Sequence, residues 1–198
     1  MSARQLLVLR HGRTETNERH VLTGAMDIPL SPGGAAELAA LRGQYPTANR
    51  FFTSGMLRAR QSLALLYGEV PHSDFPDLGE YRFGCFEGRN HRDLLLEEPI
   101  YRNWFARESE DVICPGGESN RMFAERVARG FRAIIAEQWE GLAVLIAHGG
   151  VIRQMIRQFA PAAFDQKPPG NAAGYLLTLG EDGGVLCAER FDGAAIAP

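Results

Sequence analysis

The sequence predicts an α/β fold of three layers, α/β/α, with a mostly parallel central sheet, an antiparallel edge hairpin at the C-terminus and a small helical cap insertion. Three observations point there. The apolar runs Leu6-Leu7-Val8-Leu9 and Leu142 to Ala147 have the length and composition of strands buried on both faces. Stretches with helical spacing alternate with the strand-like runs over the first seventy residues or so. Near the end, Tyr175 to Leu179 and Val185 to Arg190 flank Gly180-Glu181-Asp182-Gly183-Gly184, a hairpin signature.

Taken in order, Leu6 to Leu9 form the first strand, and Arg10-His11-Gly12 ends it. Thr14 to Ile28 reads as a polar loop containing Thr23-Gly24. Ser31-Pro32 is a helix start, a side-chain oxygen to cap followed by proline at the first helical position. That helix runs through Ala35, Leu38 and Leu41 and stops between Gly43 and Pro46. Phe51-Phe52-Thr53 is a short strand, broken by Ser54-Gly55, and a helix carrying Leu57, Leu63 and Leu66 follows. Residues 71 to 117 are rich in proline, glycine, aromatics and charge. They read as an insertion, the cap at about 77–117, with short helices near 90–97 and 99–107. Ser119 to Trp139 is an amphipathic helix whose stripe Phe123, Val127, Phe131, Ile134, Ile135 faces the sheet. The strand Leu142 to Ala147 ends at His148-Gly149-Gly150, and a helix carries Val151, Ile152, Met155 and Ile156.

A chain of 198 residues with 45% hydrophobic and 23% charged residues is expected to build one soluble domain, 1–198. A net charge of -3 gives no basic field, so nucleic acid is not an expected partner and an anionic ligand needs a local cluster of cations. Cys85, Cys114 and Cys187 are odd in number and form no CxxC pair, which argues against a disulfide framework or a cysteine zinc site. The first residues hold too short an apolar run for a signal peptide, and no stretch is long enough to span a bilayer. No membrane partner and a cytoplasmic location are therefore expected.

Three strand ends deliver related chemistry. The first brings Arg10 and His11, the second Ser54 and, one turn on, Arg58, and a later one His148. In a parallel sheet such ends share one edge, where open α/β sheets bind ligands. Guanidinium groups grip phosphate bidentately, and an imidazole beside them can serve as nucleophile, base or acid. Two cations and two imidazoles there make an anion site suited to phosphate.

Arg10-His11-Gly12 with Thr14 and Asn17, Ser54-Gly55-Met56-Leu57-Arg58-Ala59, Glu80 before Phe83-Gly84, Glu87-Gly88, Gly116-Gly117-Glu118-Ser119 and His148-Gly149-Gly150 together resemble the histidine phosphatase superfamily, in its phosphoglycerate-mutase-like branch. The resemblance covers Leu6 to about Gln158. It implies that His11 is the nucleophile that becomes phosphohistidine. It further implies that Arg10, Arg58 and His148 hold the phosphoryl oxygens with help from Asn17, and that Glu80 is the proton donor. Thr23 and Gly24 match a loop bordering the substrate. Gly149 and Arg82 join the substrate-binding set, and Phe83, His91, Arg92, Tyr101 and Trp104 are candidates for a specificity wall. Such chemistry calls for no cofactor, and the five histidines lack metal-ligand spacing such as HxxxH.

The resembling family includes phosphatases and mutases. The mutases carry an Arg-Arg pair and lysines in a longer insertion. This chain has no such pair between residues 81 and 117, and its only lysine is Lys167. The expectation is therefore a metal-independent phosphomonoesterase acting on a small phosphorylated metabolite. The run Gly88-Arg89-Asn90-His91-Arg92-Asp93-Leu94 resembles α-ribazole phosphatases and suggests α-ribazole 5′-phosphate. The alternatives are a cofactor-dependent phosphoglycerate mutase and a non-catalytic phospho-ligand-binding protein, and the chain is compatible with a homodimer.

Overall fold

In the computed structural model, which describes residues 4–107 and 109–193, the apolar run around Leu7 becomes β1 (Arg4–Arg10). The outermost residues of the expected 1–198 domain lie outside the described residues. The other strands are β2 (Arg50–Thr53), β3 (Ser73–Asp74), β4 (Leu142–Ala147), β5 (Gly174–Leu179) and β6 (Val185–Phe191). Their order across the sheet is β3-β2-β4-β1-β5-β6. β3, β2, β4 and β1 run parallel, and β5 and β6 are antiparallel, so the hairpin closes one side as expected.

Alternation along the strands builds two cores. Leu6 and Val8 of β1, with Ala143, Leu145 and Ala147 of β4, face α6 (Asn120–Ala136) and α7 (Gly149–Phe159). Leu7 and Leu9, with Val144 and Ile146, face α2 (Pro32–Ala40) and α3 (Leu57–Tyr67). Every one of these strand residues is at most 1% exposed. The three-layer expectation follows from that burial on both sides.

Ser31 caps α2 as its sequence signals, accepting from Gly34 N at 3.1 Å with Pro32 at the first position. The cap holds α4 (His91–Glu97) and α5 (Pro99–Ala106), and Phe86, Leu94, Tyr101 and Trp104 join it to the α6 side of the core. Three details correct the sequence reading. The loop after β1 contains α1 (Glu15–Glu18), nucleated by a reciprocal Thr14–Asn17 capping box. Ser73 and Asp74, within the stretch read as insertion, pair with β2 as a sixth strand. Helix α6 ends at Ala136 rather than Trp139: Glu137 turns extended (ψ 151), and Trp139 folds back so that its indole donates to Gln5 O at 3.2 Å.

Leu9→Ala is expected to destabilise the protein by about 2–5 kcal/mol in denaturant unfolding, because a fully buried leucine leaves a cavity between β1 and α2. Leu186→Ala, at a residue 71% exposed on β6, should change stability by less than about 0.5 kcal/mol. Equal losses at the two positions would contradict the burial assigned to β1.

Candidate active site

The strand order places β4 between β2 and β1, so the residue leaving β4 stands between those leaving its neighbours. His148 follows β4, His11 follows β1 and Ser54 follows β2. The His11 and His148 rings lie 5.2 Å apart between centroids. His11 is 4% exposed, and its Nδ1 is 2.7 Å from the carbonyl of Gly12. A carbonyl can only accept, so Nδ1 carries the proton and Nε2 keeps its lone pair. Burial, then the charges of Arg58 and Arg10, hold the imidazole well below its ordinary pKa of 6.5 against the smaller opposing pull of the Gly12 bond. The ring is neutral, with its Nε2 lone pair free, among cations.

Those cations are held by backbone carbonyls. Arg10 Nη1 donates to Pro169 O at 2.9 Å. Arg58 is fully buried and donates to Met26 O at 2.7 Å and Gly24 O at 2.9 Å. Burial pulls both guanidinium pKa values down, and the charge on Glu80 pulls them up. The Nε atoms of Arg10 and Arg58 are buried without a protein partner. Buried donors of this kind mark a place where an anion belongs.

His148 adds a further donor. Its Nε2 lies 2.7 Å from Ser54 Oγ, and its Nδ1 is buried and unpartnered. The Ser54 hydroxyl oxygen accepts from Met56 N at 3.4 Å, and its proton has only the imidazole to go to among the described residues. Ser54 therefore donates to Nε2, which puts the His148 proton on Nδ1. Asn17 works by the same accounting: its amide oxygen accepts from Thr14 N at 3.2 Å, leaving its NH2 as the free donor.

Glu80 reaches the site from the start of the cap. Its Oε1 accepts from Tyr81 N at 2.9 Å, and its Oε2 accepts from Gly150 N, at the first turn of α7, at 3.1 Å. A Cβ at 150 would stand 2.4 Å from Glu80 Oε1, so a larger residue there would push the carboxylate out of this position. Arg126 anchors the segment from below, donating to Asp77 O and Gly79 O at 2.9 Å each and to Glu80 O at 3.2 Å. The Glu118 carboxylate pairs with Arg126 at 2.5 Å and accepts from Arg82 N at 2.9 Å.

Arg10, His11, Asn17, Thr23, Gly24, Arg58, Glu80 and Gly149 thus surround one cleft of about 260 Å³, with His148 fully buried beside His11. Arg82 is a correction. Its backbone is bonded on both sides to Glu118, so its side chain points to solvent and does not line the cleft. Of the expected wall, Phe83 and Trp104 line the cleft together with Tyr81. His91, Arg92 and Tyr101 do not: Tyr101 is 1% exposed inside the cap, with His91 Nδ1 2.6 Å from its hydroxyl. The sequence reading did not assign Ser54 a role, nor did it single out Asn171, which donates to His11 O at 2.8 Å, or Arg107, Asn120, Arg153 and Gln154, which line the outer cleft. Among the described residues no cluster of three or more His, Cys, Asp or Glu side chains could hold a metal, and no helix is long and apolar enough to cross a membrane.

The family model for the Histidine phosphatase superfamily (branch 1) matches residues 6–189. A 2,3-bisphosphoglycerate-dependent phosphoglycerate mutase of Parvibaculum lavamentivorans is 30% identical over 203 residues, covering 94% of this chain and 95% of the relative. An adenosylcobalamin/alpha-ribazole phosphatase of Salmonella typhimurium is 29% identical over 166 residues, covering 80% of this chain and 82% of the relative. The fold matches a crystal structure of an Escherichia coli protein described as a proposed alpha-ribazole-5′-P phosphatase, with a TM-score of 0.82 at 23% identity, covering 100% of both chains.

Ser54→Ala frees His148 to place its proton on Nε2 and leave Nδ1 without one. Inorganic phosphate should then bind about tenfold more weakly by calorimetry, the loss expected for one hydrogen bond to a charged group, and Ser54→Thr should retain most of the affinity. An unchanged Kd in Ser54→Ala would contradict the assigned tautomer.

Proposed function

The chain belongs to the histidine phosphatase superfamily, branch 1, and on that premise we propose that it is a metal-independent phosphomonoesterase that hydrolyses a small phosphorylated metabolite through a phosphohistidine on His11. The observation that supports this most is the lone pair of His11 Nε2, set by Gly12 O, beside the unpartnered buried donors of Arg10, Arg58 and His148. In the first step Nε2 forms a bond to phosphorus as the bond from phosphorus to the ester oxygen breaks. Arg10, Arg58, His148 Nδ1–H and the Asn17 amide hold the equatorial oxygens, where charge accumulates. Glu80 relays the proton carried by the phosphomonoester monoanion to the departing alkoxide. In the second step Glu80 takes a proton from water, the water oxygen bonds to phosphorus, and the bond from phosphorus to Nε2 breaks. Inorganic phosphate leaves and the imidazole is restored.

A second reading is favoured by the mutase relative that matches nearly the whole chain. A substrate hydroxyl would replace water as acceptor, and interconversion of 2- and 3-phosphoglycerate would outrun phosphate release. α-Ribazole 5′-phosphate belongs in the same substrate panel because of the Salmonella relative's name.

The purified protein in the presence of a chelator should hydrolyse an aryl phosphate, and His11→Ala should lose at least about a thousandfold in kcat. Glu80→Gln should slow alkyl phosphates at least about tenfold more than aryl phosphates, whose leaving groups need little protonation. Persistent turnover in His11→Ala, or equal slowing of both ester classes in Glu80→Gln, would overturn the assigned roles.

A further inference from the structure

Strand β1 ends at Arg10, so the His11–Gly12 peptide lies just beyond the sheet, between two buried residues. Position 12 has no room for a side chain: a Cβ would stand 2.5 Å from Leu38 Cδ1 and 2.9 Å from Leu38 Cγ. Glycine sets few limits of its own on where its carbonyl points. Yet that carbonyl is the group that puts the His11 proton on Nδ1.

Side chains from two other elements hold the peptide on which this depends. Gly12 N donates to Ser62 Oγ at 2.9 Å. Ser62 lies one turn beyond Arg58 on α3 and is fully buried. Its hydroxyl donates to Arg58 O at 2.6 Å, so it offers Gly12 a lone pair. From the opposite side, Asn171, just before β5, donates from Nδ2 to His11 O at 2.8 Å and reaches Asn17 Oδ1 at 3.5 Å. The Asn17 oxygen is fixed as an acceptor by Thr14 N, so the Asn171 amino group faces two acceptors. The C=O and N–H of a trans peptide point in opposite directions, and the two bonds therefore grip one plane by its two edges.

Neither residue lines the cleft. Both are joined to the groups that do. Ser62 is bonded to the backbone of Arg58, and the segment of Asn171 is bonded to Arg10 three times: Pro169 O accepts from its guanidinium, Ala172 N donates to its carbonyl at 2.9 Å and Ala173 O accepts from its amide at 2.8 Å. The turn that presents Asn171 is itself fixed, since Ala172 takes the left-handed conformation (φ 62) and its carbonyl accepts from the buried Tyr45 hydroxyl at 2.6 Å.

We propose that Ser62 and Asn171 are positioning residues for His11: by holding the His11–Gly12 peptide plane from opposite edges they set the aim of Nε2 and the ring tautomer without touching substrate. The proposal rests on the reading that His11 attacks phosphorus. A displacement of about 1 Å at a reacting atom costs on the order of a hundredfold in rate. A role confined to satisfying buried backbone groups would cost stability and leave the imidazole as it is.

The test uses Ser62→Ala, which removes the acceptor, and Asn171→Leu, which keeps the shape and removes the donor. Three quantities are read on each: kcat/KM for an aryl phosphate, the Kd of inorganic phosphate by calorimetry, and the nitrogen-15 shifts of the His11 ring. Both variants should lose about tenfold or more in kcat/KM, with phosphate affinity within about threefold of the native chain. The His11 ring, a single Nδ1–H tautomer in the native chain, should show both nitrogens averaging between protonated and unprotonated. Ser62→Thr, which keeps the hydroxyl, should restore the native spectrum. If one variant does not fold, the other, on a separate element, decides. An unchanged tautomer with only a lower unfolding midpoint, or equal losses in kcat/KM and phosphate affinity, would overturn the proposal. A tautomer that loosens in both variants of a chain without His11-dependent turnover would support the positioning role and overturn the phosphatase reading instead.

Discussion

One buried and one half-buried guanidinium group, of Arg58 and Arg10, and two buried imidazoles meet at the carboxyl edge of β1, β4 and β2, and among the described residues no carboxylate is hydrogen-bonded to any of them. Arg58 rests on the carbonyls of Gly24 and Met26, Arg10 on that of Pro169, His11 on that of Gly12 and His148 on the Ser54 hydroxyl. Desolvating an ion costs about several kcal/mol even after relaxation, and carbonyl dipoles return only part of it. That expense fixes the other properties of the site. It keeps His11 uncharged, first because burial disfavours the cation and then because a third positive charge beside Arg58 and Arg10 is unfavourable. It also leaves donors whose natural complement is a multiply charged oxyanion.

Of the carboxylates around the cradle, Glu80 lines the cleft without a hydrogen bond to either arginine. Glu80 acts on Arg10 and Arg58 through charge but is bonded to the amides of Tyr81 and Gly150. Its backbone is pinned by Arg126, and Arg126 is paired with Glu118, a fully buried unit that ties the cap's first segment to α6. Glu87 completes the frame by accepting from Ala25 N at 2.8 Å and Phe83 N at 3.1 Å, which joins the loop carrying Thr23 and Gly24 to the cap. The loop of Thr23 and Gly24 and the aromatic wall of the cleft are therefore tied together through one carboxylate.

Much of this was legible in the letters. The apolar run before Arg10-His11-Gly12 required a strand buried on both faces, and Ser31-Pro32 marked a helix start that the Gly34 bond realises. The convergence of His11, Arg58 and His148 followed from strand ends sharing an edge. What sequence could not supply were distances across the sheet. The strand order that sets His148 between its neighbours, and hence the contact with Ser54, depends on a crossover the letters do not specify. Arg153 and Gln154 were passed over because the core stripe of α7, Val151, Ile152, Met155 and Ile156, accounted for the helix without them. Arg82 was misassigned because its place beside Phe83 suggested a shared direction, whereas its backbone bonds to Glu118 turn it outward.

The proposed chemistry needs a desolvated, neutral imidazole at His11 with its lone pair on Nε2. Nitrogen-15 chemical shifts of His11 at pH 6.5, where an ordinary histidine is half protonated, read this directly. The expected spectrum has a protonated Nδ1 and an unprotonated Nε2, with no cationic fraction at that pH. A charged ring at pH 6.5, or a proton residing on Nε2, would contradict the arrangement on which the proposed chemistry depends.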